Sequence, residues 1–103
     1  MKYYILDEKT REIKETDFDG YVKWSKDGGF KTRLIKQEYI GGVFISTIFL
    51  MFDHRHFGSG DPVLFETMIF NGEHDQYQDR YCTEKEALEG HQKAVDMVKL
   101  SVK

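Results

Sequence analysis

The chain has 103 residues, of which 40% are apolar, 32% charged and 15% aromatic, enough for one packed domain and too few for a second independent core. Its formal charge of −3 at pH 7 lacks the basic excess that phosphate backbones call for, which disfavours double-stranded nucleic acid as a partner. A single cysteine, Cys82, excludes an internal disulfide framework and a four-cysteine zinc site.

The amino terminus, MKYYILDEKTREIKE, has no apolar block of signal-peptide length and soon turns highly charged. The longest apolar run, residues 43–52, contains Ser46 and Thr47 and reaches only about half the length of a bilayer-crossing helix. A cytoplasmic protein without a membrane segment is expected. Charge is unevenly spread. Residues 1–42 carry nine basic and eight acidic side chains, and residues 83–103 four of each. Residues 43–82 set only Arg55 and Arg80 against six acids, so the middle carries the net negative charge, together with three of the four histidines.

In chain order, residues 2–6 (KYYIL) and 11–15 flank the polar cluster DEKT and read as a short hairpin. Asp17 or Asp19 caps a helix over residues 18–26, anchored by Trp24 and ended by Asp27-Gly28-Gly29. Residues 30–40 read as a strand, turning at Gly41-Gly42 into the strand 43–52. That strand is apolar on both faces and is expected to be central and covered twice, on one side by a helix and on the other by another element or a partner chain. A second strand of this kind, residues 63–70, starts after Pro62, where a missing N–H does little harm. Residues 72–81 (GEHDQYQDRY) read as an acidic-aromatic connection. Thr83-Glu84-Lys85-Glu86 forms a capping box, and Leu88, His91, Val95, Val98 and Val102 make the stripe of an amphipathic carboxyl-terminal helix. Gly90 within it suits a close approach to a strand. The expected fold is α+β: an antiparallel sheet of three to five strands, the last helix packed on one face, and a short amino-terminal helix. Two-sided strands also favour a homo-oligomer.

The segment joining the two central strands, Asp53-His54-Arg55-His56-Phe57-Gly58-Ser59-Gly60-Asp61-Pro62, is longer than a minimal hairpin turn and mixes titratable, aromatic and glycine residues as binding loops do. As an anion or nucleotide cradle, Gly58 and Gly60 would let backbone amides approach, Arg55 would supply a charged fork, and His56 or Phe57 would stack on a base. As a metal site it would use Asp53, His54, His56 and Glu66, yet no HExxH or CxxC spacing specifies one. The plainer account is a turn whose polar groups cap the strands and meet solvent. Glu66, the only charge within either central strand, needs an open surface or a partner such as Arg55, His54, His91 or Arg33. Paired with a histidine it could act as a general acid/base couple, but no nucleophile elbow or Ser-His-Asp order accompanies it. Tyr77 and Arg80 are further candidate contacts, and His91 reads as a core-edge histidine bonded to the sheet. No cofactor is expected.

The block TIFLMFDHRHFGSGDPVLFETMIF, followed by RYCTEKEALEGHQKAV, resembles a family of small uncharacterised proteins of bacteriophage and prophage genomes. The resemblance rests on Asp53, His54, Phe57, Gly58, Gly60, Pro62, Leu64 to Met68, Phe70, Arg80, Tyr81, Thr83, Glu86, Ala87, Gly90 and His91. It implies a non-enzymatic protein in the bacterial host cytoplasm, acting by stoichiometric binding of a host protein or by sequestering a nucleotide-like signal. The contacts would come from residues 53–62 with Glu66, Tyr77 and Arg80. A small metal-dependent or acid/base hydrolase centred on His54, His56 and Glu66 is the alternative from another class, and a virion structural or assembly component is a third.

Overall fold

The structure, a computed structural model, describes residues 2–53 and 60–102. The first two strands, β1 (Tyr3–Leu6) and β2 (Ile13–Thr16), pair antiparallel as the hairpin pattern predicts. Their connection is closed by Asp7, whose carboxylate accepts the backbone N–H groups of Lys9 and Thr10 at 2.8 and 2.9 Å. These bonds hold the Asp7 carboxyl below the usual carboxylate range, the Thr10 amide contributing most.

Helix α1 (Phe18–Trp24) begins at Asp17, which accepts from Gly20 N at 2.8 Å. Trp24 anchors it as expected, its indole N–H donating to the Leu6 carbonyl at 2.9 Å and its ring edge-on to Phe49 at 6.0 Å. The chain does not stop at Asp27-Gly28-Gly29. It kinks there, with Gly28 at φ 104°, a conformation that costs glycine little. One further turn follows, α2 (Phe30–Thr32), so the strand expected from residue 30 starts only at Leu34.

Four antiparallel strands then form the main sheet in sequence order: β3 (Leu34–Ile40), β4 (Val43–Phe49), β5 (Phe65–Phe70) and β6 (Gln78–Tyr81). Gly41 and Gly42, at φ 53° and 81°, make the two-residue turn between β3 and β4, whose paired positive φ values match the strand twist. β4 ends at Phe49, not at Phe52, because the chain leaves the ladder toward β1: Tyr4 N donates to Met51 O at 3.0 Å and Tyr3 bridges Phe52. β5 starts at Phe65 rather than Val63. The strand β6 lies in the stretch read as a loop, where the pattern QDRY has no apolar alternation to announce it.

Helix α3 (Glu84–Ser101) carries both halves of the capping box: Glu86 N donates to Thr83 Oγ1 and Thr83 N to Glu86 Oε1, each at 3.1 Å. It lies on one face of the sheet, with Ala87, His91, Ala94, Val95 and Val98 buried. Of the expected stripe, His91, Val95 and Val98 face inward, and Leu88 and Val102 do not. Leu88 is 44% exposed, and the small residues Ala87 and Ala94 face inward, where they let the helix approach the strands. Two apolar clusters result. Tyr4, Leu6, Phe49, Leu64, Phe65 and Ala87 pack under the hairpin and Trp24, while Val43, Ile45, Ile69, Ala94, Val95 and Val98 fill the other end.

Gly90 is where α3 meets β6. A Cβ at this position would fall 2.0 Å from the Tyr81 hydroxyl and 2.2 Å from its Cζ. Gly90→Ala gains roughly 1 kcal/mol of helix propensity but overpacks a ring that has little room to move, at about 1–3 kcal/mol. The expected result is a net loss of up to about 2 kcal/mol in urea unfolding, recovered when Tyr81→Val opens the space. Equal losses with and without Tyr81→Val would show that the ring is not the obstacle.

Candidate binding face

Alternation along each strand divides the sheet. Val43, Ile45, Thr47 and Phe49 of β4 are buried toward α3, and Phe44, Ser46 and Ile48 point to the opposite face. That face remains open at Tyr39, 77% exposed, Leu34, 49%, and Phe70, 39%. The strand β4 is thus covered by helix on one side only, and the second cover expected from its two-sided composition is not supplied by a helix of this chain among the described residues.

Register places the aromatics of the open face in one row. Tyr39 opposes Phe44, and Phe44 opposes Phe70; the rings stack with centroids 4.6 and 5.8 Å apart. The row runs at the Gly41-Gly42 end of the sheet. At the other end Ile48, Glu66 and Arg80 sit side by side across three strands. Arg80 Nε donates to Glu66 Oε2 at 2.9 Å, and the Gln78 amide donates to the same oxygen. Glu66 is buried yet satisfied, so it acquires the partner that burial demands. That partner is Arg80, which is none of the four the sequence suggested, because it is β6 that carries it alongside. Between the two ends lies a small hollow of ≈ 50 Å³ lined by Ser46, Ile48, Glu66, Met68 and Phe70.

Of the ten residues singled out from the sequence, Glu66 and Arg80 are brought together by the pairing of β5 with β6. Asp53 ties the ends of the long connection, its Oδ1 accepting from Val63 N at 3.0 Å. Gly60 sits at φ 114°, which favours glycine. Tyr77 packs beside Ile40 against the apolar cluster under α3, away from the open face, and burial pushes its hydroxyl pKa up, with the Asp79 charge adding to the shift. His54, Arg55, His56, Phe57 and Gly58 lie outside the described residues. No family model, curated protein or solved structure matches the chain.

A second polar constellation sits between the two apolar clusters. Thr47 Oγ1 lies 2.6 Å from both Thr67 Oγ1 and His91 Nδ1, and His91 Nε2 lies 2.9 Å from Glu38 Oε1. A carboxylate only accepts, so His91 donates from Nε2, accepts at Nδ1 from the Thr47 hydroxyl, and leaves Thr47 to accept from Thr67. Each group in the relay is satisfied. Burial holds the His91 pKa below its ordinary value, against the opposing pull of Glu38. The imidazole is therefore neutral near pH 7, and its link to Glu38 is a hydrogen bond to a carboxylate rather than an ion pair. The order hydroxyl, imidazole, carboxylate is that of a nucleophile relay, but Thr47, Thr67 and His91 are each 0% exposed, so no substrate atom reaches the hydroxyl.

Among the described residues no three His, Cys, Asp or Glu side chains converge as a metal ion would need. No helix among them is long and apolar enough to cross a membrane.

Proposed function

We propose that this chain is a non-enzymatic binding protein whose working surface is the open face of the four-stranded sheet, and that what it binds there is a protein surface. The observation that carries this reading is the stacked row Tyr39, Phe44 and Phe70, standing uncovered in a chain that is 32% charged. Aromatic residues on an uncharged patch are the usual anchors of protein interfaces. A nucleotide fits this face less well: its guanidinium, Arg80, is already engaged by Glu66, and the hollow beside it, at ≈ 50 Å³, is too small to enclose a base. The likeness to small phage proteins supports a stoichiometric mode of action.

The test uses two substitutions on exposed side chains, Tyr39→Lys and Phe70→Lys. Immobilised wild-type chain is expected to retain a protein in a fixed molar ratio, whether from bacterial lysate or from added soluble chain, and the double variant to lose at least about 30-fold in affinity, the effect of truncating interface anchors. Folded variants that capture the same protein as well as wild type does would move the interface off this face and overturn the reading.

A further inference from the structure

Resting on that reading, we infer that the protein seated on the open face is a second copy of this chain, packed sheet to sheet about a two-fold axis. Three features of the face favour its own copy. The first is charge. Glu66 and Arg80 are bonded to each other at 2.9 Å, so two identical faces meet without opposing like charges, the usual obstacle to self-association. A foreign partner selected by charge would find no field to read here.

The second is shape. An isologous interface requires that one patch carry both a projection and its complement, since residue i meets j and j meets i. Tyr39 is the projection, 77% exposed at the edge strand β3. The complement is the hollow of ≈ 50 Å³ over β4 and β5, lined by Met68 and Phe70 among others. A two-fold axis lying in the interface plane, parallel to both sheets and passing between these features, seats each Tyr39 against the other copy's hollow.

The third is area. Four strands about 4.8 Å apart and roughly six residues long give a face that, with side-chain relief, offers on the order of 600 Å² per copy. This lies at the lower end of specific interfaces, which suits a reversible dimer with a dissociation constant in the micromolar range. Sheets packed in this way stand about 10 Å apart, giving four layers with α3 outermost on both sides. The second cover that the composition of β4 and β5 demands is then supplied by the partner chain.

The test is sedimentation velocity with the full chain from about 1 to 200 μM. Wild type is expected to pass from 12.2 kDa to twice that mass. Tyr39→Lys and, separately, Met68→Lys should each weaken the dimer at least tenfold, whereas Lys93→Glu, exposed on α3, should leave it unchanged. Fluorescence of Trp24 confirms that each variant is folded, and either face variant suffices. A wild type that stays monomeric at 200 μM overturns the second copy; if Tyr39→Lys still abolishes capture from lysate, the binding-face reading survives with a foreign partner. A dimer indifferent to both face variants overturns the two together.

Discussion

Phe49→Ala is expected to lower stability by about 3–5 kcal/mol, the usual cost of emptying a fully buried aromatic site. Phe49 has 0% exposure and stands where three parts of the chain meet. Its ring is edge-on to Trp24 at 6.0 Å and to Phe65 at 5.5 Å, and it packs with Leu6 of β1, Leu64 and Ala87 of α3. Truncation leaves a void between the hairpin, the sheet and the helix, and none of these can collapse into it without breaking its own hydrogen bonds. Against a total of order 5–15 kcal/mol for a domain of this size, the loss is severe. Trp24 is the only tryptophan and touches the site directly, so its fluorescence in a urea titration reports the transition. The expected result is a large drop in midpoint with little change in slope. A loss below about 1 kcal/mol would mean that the hairpin and α1 are not part of the cooperative core.

The second large effect is at Thr47. Thr47→Val keeps the shape but removes the hydroxyl that both Thr67 and His91 use. Two buried polar groups then lack partners, at about 1–3 kcal/mol each, so a loss of about 2–6 kcal/mol is expected. Replacing the whole relay with apolar groups (Thr47→Val, Thr67→Val and His91→Leu) should cost less than the single change, since no orphaned group remains. The triple variant also isolates a pH effect. Burial lowers the folded pKa of His91, so the unfolded chain, titrating near 6.5, takes up a proton that the folded chain refuses. Stability from this group is complete above pH 6.5 and declines as the pH falls below it. Glu38 and Lys36 face the imidazole from β3 and shift it in opposite senses, Glu38 up and Lys36 down. Urea midpoints at pH 7.5 and 5.5 should differ more for wild type than for the triple variant. Equal differences would remove His91 as the source.

The relay also bears on how α3 finds its place. Thr47 lies between Ile45 and Phe49 on β4, Thr67 between Phe65 and Ile69 on β5, and His91 between Ala87 and Val95 on α3. The core is thus apolar, polar, apolar along its length. Sliding the helix by one turn would pair His91 with an apolar cluster and strand both threonines, so the polar layer sets the helix register where the valines alone would tolerate a slip.

Local features were legible in the chain because short-range chemistry decides them. The capping box at Thr83, the Gly41-Gly42 turn, the Asp17 cap, the hairpin around DEKT, the Trp24 anchor and the inward His91 all follow from neighbours within a few residues or from a face periodicity. The α+β class followed from the same signals. What the chain concealed depends on partners distant in sequence. Strand β6 has a polar pattern and becomes a strand only because β5 offers an edge beside it. Glu66 finds Arg80 only once that pairing exists. Along α3 the stripe places His91, Val95 and Val98 inward, but Leu88 and Val102 at its two ends are exposed, because packing on the sheet favours the small side chains of Ala87 and Ala94 beside it. The aromatic row of Tyr39, Phe44 and Phe70 was invisible for the same reason: composition showed three rings on three strands, and only the cross-strand register stacks them on one uncovered face.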